Sequence, residues 1–464
     1  AVFFSELGEG DQIELDLRHG TRQSRHAFLI ESENLAASIE TCRDLGQVDL
    51  LTGSVLAWTA IQLWSGSHTA AMDVLSSLVD RTDLSTADRA ALMGQYSTVL
   101  SSMGRRSEAK ESMVRRVALA RASGEAVLLS EALVQQAHYL PKGGSIEEKL
   151  SLYQEALELE VRSGSRSREA LTLLNIGALY REHGELEETT TRMAKAMAIG
   201  QELGSALIVG KAFLLKAMHS MDIGDMESSD SFLQESLRRA REIELTPMIS
   251  NVLGTIGTFT KNRGELERSI QAHQEAIRHS RAIGSRRDEC LLLGNLALVV
   301  QLQGDLERAQ KLYEQTIVLA EEVEFGLVAT MAVGNLGDLL LNQGRFEESR
   351  PHLERAIDEM DAAQQNSAGC FRGSLAWAVA QEGDFVQARR LLQDGEPQLR
   401  DVWAYELGRL LVRRAQVERL AGDLESAGVA LEEARGLAQQ LGSGPESDLG
   451  QLLAEVDDET ESTI

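Results

Sequence analysis

Proline is nearly absent from this chain: five in 464 residues. Proline ends helices, so its scarcity, beside abundant Ala, Leu, Glu, Arg and Gln, favours a helical protein. Aromatic residues make up only 4% of the chain, which leaves little for base-stacking surfaces of the kind that hold single-stranded nucleic acid. Cysteine occurs three times, at Cys42, Cys290 and Cys370. Such a scattered, odd set forms neither a disulfide framework nor a CxxC metal site, and it suits a reducing, cytoplasmic setting. No apolar run reaches the length of a membrane span, and no signal peptide opens the chain. Positive charge is also in deficit: the formal net charge is −26. A surface that acidic repels phosphate backbones, which excludes nucleic acid as an expected partner. Local arginine clusters such as Arg238-Arg239 lie among glutamates and read as solvated helix faces.

What the sequence has in quantity is glycine at a fixed period. Gly184, Gly224, Gly264, Gly304 and Gly344 each open a similar short phrase, and 224−184, 264−224, 304−264 and 344−304 all equal 40. The same mark falls at Gly66, Gly104, Gly144, Gly383 and Gly422. An acidic or small polar residue follows eight of the ten, with Arg105 and Arg345 the exceptions, and a helical pattern follows each one. That is how one helix ends on a left-handed glycine and the next begins on an N-terminal acid. A second mark, half a period away at Gly124, Gly164, Gly204 and Gly284, divides each period into two helices.

Side-chain size keeps the same period. Seven residues before each loop glycine stands a small residue, among them Ser97, Gly177, Gly257 and Gly337. Five after it stands another, such as Thr189, Ser229, Ser269 or Ser349, with Lys149 the exception. Nine after it stands a large one: Leu75, Met113, Tyr153, Met193, Leu233, His273, Tyr313, Leu353, Leu392 or Leu431. Small residues let paired helices approach, and the large one fills the space to the next pair. A bulky side chain at Gly177 or Gly337 is expected to overpack this crossing.

This small, glycine, small, large pattern resembles the tetratricopeptide repeat. Asn175-Ile-Gly-Ala-Leu-Tyr180 and Asn335-Leu-Gly-Asp-Leu-Leu340 are similar to that family's first-helix signature. The usual period is about 34 residues, so these units are lengthened, as in Pins-type adaptors, kinesin light chains and the C-terminal arrays of bacterial STAND-type signalling ATPases. The resemblance implies an all-α, right-handed α-α superhelix of about ten helix-turn-helix repeats plus a capping helix. Residues 27–441 would form the solenoid, 1–26 a leader or the tail of an upstream domain with a possible hairpin, and 442–464 a capping helix and frayed acidic tail. The stripe Leu449, Leu452, Leu453 and Val456 suits such a cap.

No catalytic constellation emerges, so no cofactor, metal or enzymatic activity is expected of this chain. Gly204 to Ala212 has five residues between its glycines where a phosphate-binding loop has four, and Ala212 replaces the metal-binding hydroxyl. It reads as a helix start. His273 and His279 lack metal-ligand spacing, and His273 occupies a packing position.

The resemblance points instead to a concave groove lined by first helices, where an Asn two residues before the small position contacts a bound peptide. Here that residue is Asn175, Asn295 or Asn335. Leu215 and Thr255 replace it in intervening repeats, and the family's carboxylate clamp is not reproduced. Neighbouring first-helix positions supply Arg181, Lys211, Asn251, Lys261, Asn262, Gln301, Asp338 and Asn342. The expected role is therefore a scaffold or sensor arm that binds a protein or peptide segment, or its own upstream domains, with neither nucleic acid nor membrane involved. Ala1 in place of Met and the phrase Glu31-Ser-Glu-Asn34-Leu35 are similar to an array that follows the ATPase region of a STAND-type regulator. An enzyme assembly and a self-associating structural repeat are the alternatives.

Overall fold

A computed structural model describes residues 31–65, 68–140, 146–363, 365, 367–400, 403–441, 443–445 and 447–461. The hairpin expected within residues 1–26 lies outside them, as do Gly66 and Gly144. The described residues form 22 α-helices and no strand. Two compact units divide the chain: one runs to Ile256 and includes Glu275–Arg286, while the other holds Gly257–Gln274 and everything from Arg287 onward.

The first unit opens with α1 (Ser32–Asp44). Helix pairs follow: α2 (Val48–Ser65) with α3 (His68–Ser76), α4 (Thr86–Ser102) with α5 (Arg106–Ser123), and α6 (Ala126–Tyr139) with α7 (Ile146–Ser163). Next come α8 (Arg166–Glu182) with α9 (Leu186–Glu202), and α10 (Ala206–Asp222) with α11 (Met226–Glu242). The unit boundary passes through both α12 (Thr246–Asn262) and α13 (Leu266–Ala282). The second unit continues with α14 (Arg286–Leu302) and α15 (Leu306–Glu322), then α16 (Gly326–Asn342) and α17 (Phe346–Ala362). It ends with α18 (Ala368–Gln381) and α19 (Phe385–Leu399), α20 (Ala404–Leu420) and α21 (Leu424–Gln440), and a last helix α22 (Asp448–Glu461).

The glycine marks do what the sequence requires of them. Gly104, Gly184, Gly224, Gly264, Gly304, Gly344, Gly383 and Gly422 all have positive φ. Where aspartate follows, it caps the new helix: Asp225 accepts from the Ser228 N–H, Asp305 from Arg308, Asp384 from Gln387 and Asp423 from Ser426. Such caps are each worth about 1 kcal/mol. At the half-period, Glu244 and Glu324 adopt φ 49°, the left-handed turn that glycine makes in neighbouring repeats.

Within a pair the two small positions touch and, where the second is serine, they bond. Ser229 donates to the Ala217 carbonyl at 3.0 Å, Ser269 to Gly257 at 2.6 Å and Ser349 to Gly337 at 2.9 Å. A hydroxyl inside the crossing keeps its hydrogen bond without taking volume from the core. The large positions are buried from Leu75 to Leu392, with Tyr313 and Leu353 fully so. Leu431, in the last pair, is only partly buried. In α22, Leu449, Leu452 and Val456 are buried against the terminal pair. Arg419 donates to the Val456 carbonyl at 2.9 Å, and the Leu449 N–H to the Tyr405 hydroxyl at 3.2 Å. The acidic run Asp457–Glu461 continues this helix, where a frayed tail was expected; its i, i+4 ladder extends from the anchored turns.

Candidate functional site

Polar side chains on the first helices differ in whether the protein already satisfies them. Asn295 on α14 and Asn335 on α16 occupy equivalent positions one repeat apart, and both are half-buried. Neither carboxamide hydrogen-bonds another described residue. Asn175 on α8 is also half-buried and reaches the ring of His138 on α6. A carboxamide both donates and accepts, which matches the alternating N–H and C=O of an extended backbone.

The remaining residues expected on this wall fall into two groups. Lys211, Asn251 and Asn262 are exposed, and Lys261 is half-buried. Lys211 and Lys261 nonetheless have interactions within the fold, and specific bonds engage the other four. Arg181 pairs with Asp222 at 3.0 Å, and Gln301 accepts from the Tyr313 hydroxyl at 2.9 Å. Asp338 is only 4% exposed and pairs with Arg409 at 3.1 Å. Asn342 accepts from Arg413 at 2.8 Å.

The last two bonds make a ladder that sequence reading missed. Asp338 and Asn342 lie one turn apart on α16, Arg409 and Arg413 one turn apart on α20, and the arginines cross α18 to reach them. Gly373 and Ser374 on α18 lie beside both arginines; adding a Cβ to Gly373 would bring it 3.2 Å from Leu410. Burial pushes the Asp338 carboxyl up, and Arg409 and Arg413 pull it back. A separation of 71 residues leaves no periodic signal for this contact; the small residues on α18 are its only local trace.

A similar substitution of charge for a small residue occurs twice in the first unit. Arg116 sits on α5 at the position that Ala196, Ala276 and Ala356 hold elsewhere, and its guanidinium lies over Gly94, which has no Cβ to block it. Arg116 bonds Gln135 and pairs with Glu131 at 3.2 Å, and Glu131 also pairs with Arg168. Glu160 on α7 replaces the Ala120, Gly200 or Ala240 of other units. It is 2% exposed and accepts from Thr172 at 3.1 Å. Burial raises its pKa to about 7.

Comparison with known proteins agrees with this architecture. The tetratricopeptide repeat family model matches residues 291–324 and 331–358, the segment from α14 to α17. No curated protein matches the sequence. Among solved structures, aspartyl phosphate phosphatase F from Bacillus subtilis superposes with a TM-score of 0.50 at 12% identity, over 86% of this chain and 95% of that one. A Rap protein complexed with competence and sporulation factor gives 0.49 at 13% identity, over 89% and 99%. A signal-transduction ATPase with numerous domains and a tetratricopeptide repeat sensor, from Pyrococcus horikoshii, gives 0.48 at 14% identity, over 81% of this chain and 57% of that one. The family model thus covers α14 to α17, and the described residues form consecutive packed helix pairs of an all-α, tetratricopeptide-like fold. Among the described residues no group of His, Cys, Asp and Glu could hold a metal ion, and no helix is long and apolar enough to cross a membrane.

Proposed function

We propose that this chain is a non-catalytic interaction scaffold whose first-helix wall holds an extended segment of another protein. The observation that carries the reading is the pair Asn295 and Asn335: half-buried carboxamides at equivalent positions, one repeat apart, with no described partner inside the fold. A polar group held partly out of water and left unsatisfied favours a ligand that completes its bonds. Asn175 in the first unit stands at the same repeat position but already reaches His138. Asp338 and Asn342 stand apart from this role, since Arg409 and Arg413 already engage them.

The experiment is to select peptides from a random display library against the folded chain, then map hydrogen exchange with the best binder present. Slowed exchange in α14 and α16 around the two asparagines supports the reading. Protection confined to second helices overturns it.

A narrower version makes the chain the sensor arm of a STAND-type regulator. It draws on the phrase Glu31 to Leu35, where Asn34 donates to Glu31 at 2.7 Å and Leu35 is fully buried as α1 begins. Reading the gene upstream of Ala1 tests it: an ATPase-coding region supports the version, and a start codon immediately before Ala1 sinks it.

A further inference from the structure

The grooves between successive second helices are lined by different residues along the chain. Between α9 and α11, over α10, the groove is plugged by Phe213 and Phe232. Their rings stack with centroids 6.0 Å apart, and the Lys216 ammonium lies 4.2 Å from the Phe232 centroid. Three repeats later the corresponding residues are smaller or polar: Val333 for Phe213, His352 for Phe232 and Leu336 for Lys216, each 120 positions on. There, between α15 and α17, the structure contains a cleft of about 340 Å³. Such a volume falls within the range that ligand pockets occupy.

Its chemistry is specific. Val333, Leu336 and Leu340 form an apolar floor, and Ile317 and Val318 form one wall. Val318 is 57% exposed, which leaves its methyl groups open to an occupant. The two rim arginines are already neutralised, Arg345 by Glu348 at 2.6 Å and Arg355 by Glu359 at 2.8 Å. Glu314, on the α15 wall, accepts from Gln310 at 2.9 Å, so each charged rim group has a partner within the chain and the occupant need bring no charge. On the opposite wall, His352 makes no hydrogen bond with any described residue. Burial and Arg355 hold its imidazole below the usual histidine range, against the pull of Glu348. A neutral imidazole has a free acceptor nitrogen as well as an N–H.

We infer that this outer cleft receives the side chain of a tryptophan or tyrosine from a partner protein, its ring on the Val333–Leu336–Leu340 floor and its N–H or O–H donating to His352. The Phe213–Phe232 stack shows what the groove holds when the chain fills it itself. A donor-bearing ring is the neutral group that satisfies both floor and imidazole, and the guanidinium groups flank it as Lys216 flanks Phe232. The floor lies on α16, which also carries Asn335, but neither Asn295 nor Asn335 lines the cleft, so the asparagine variants and the cleft variants test the two readings separately.

The test uses the full chain and the capped pentapeptide Ac-Gly-Gly-Trp-Gly-Gly-NH2, followed by methyl NMR of Ile317, Val318 and Val333. Saturable shifts at these methyls are expected, with affinity reduced about tenfold or more when Trp is replaced by Ala. His352→Phe recreates the Phe232 plug and should abolish the shifts with the melting temperature retained. Glu314→Trp fills the cleft from the other wall and should do the same, so either variant decides if the other fails to fold. No saturable shift in the natural chain, or full binding in a folded plugged variant, overturns the inference. So does binding of free N-acetyl-tryptophanamide with exclusion of the pentapeptide, which would make the occupant a small molecule.

Discussion

His273 is the residue whose replacement most sharply tests the packing logic of the repeat. It occupies the large position on α13, where other units place Leu, Met or Tyr. The side chain is fully buried, and neither ring nitrogen has a hydrogen-bond partner. It packs on Gly257 so closely that a Cβ there would lie 2.5 Å from Nε2. Burial, then the nearby Lys261, push its pKa down to about 4 from the ordinary 6.5. A base whose folded pKa is depressed binds fewer protons when folded than when unfolded. Its contribution is therefore intact above pH 6.5 and is lost as pH falls toward 4. At about 1.4 kcal/mol per pH unit the full loss is about 3 kcal/mol, of which about 2 kcal/mol is reached by pH 5. His273→Leu keeps an apolar filler and removes both the titration and the orphaned nitrogens, whose burial costs about 1–3 kcal/mol. Urea unfolding of both chains at pH 7.5 and pH 5 provides the readout. The variant should be more stable at pH 7.5, and its advantage should grow by about 2 kcal/mol at pH 5. An advantage that stays constant between the two pH values would refute the reasoning.

Gly337→Ala should lower stability by about 1–3 kcal/mol, because the new Cβ would meet Leu353 Cγ at 2.8 Å. Gly436→Ala, on α21 with nothing within 4 Å of the added carbon, should raise stability by about 0.5–1 kcal/mol; thermal melts that reverse this order would contradict the crossing geometry. Glu160, whose raised pKa favours its neutral form in the fold, gives stability that is present below pH 4.5 and is lost as pH rises through about 7. Glu160→Gln should therefore gain about 2–3 kcal/mol on the natural chain between pH 4.5 and pH 8, and parallel pH profiles would exclude this. Arg409→Met should cost roughly 2–4 kcal/mol by stranding Asp338, and Asp338→Asn in the same chain should restore part of it. Strict additivity in that double-mutant cycle would dissolve the ladder.

The repeat architecture was legible because its signals are local and periodic. Gly224 followed by Asp225 carries a helix end and a helix cap in two letters, and the small position at Ser349 marks a contact only 12 residues away, at Gly337. Glu244 and Glu324 show the limit of the glycine signal: the turn recurs without its glycine, because the surrounding helices hold the left-handed backbone. The candidate site was less legible. Type and position picked out Asn295, Asn335 and Asp338 alike, and only the fold separates them, by bringing Arg409 to Asp338 from 71 residues away. The outer cleft was invisible for a related reason. It exists because Val333 and His352 are not Phe213 and Phe232, a difference that acquires meaning once three helices enclose it.

The claim on which the functional account turns is that the first-helix wall grips its partner through Asn295 and Asn335. The direct measurement is the affinity of a selected peptide for the natural chain and for Asn295→Ala/Asn335→Ala, by fluorescence anisotropy with melting temperatures checked alongside. Loss of two backbone-directed hydrogen bonds should weaken binding by about 10–100-fold with the fold intact. Equal affinity for both chains would contradict the account.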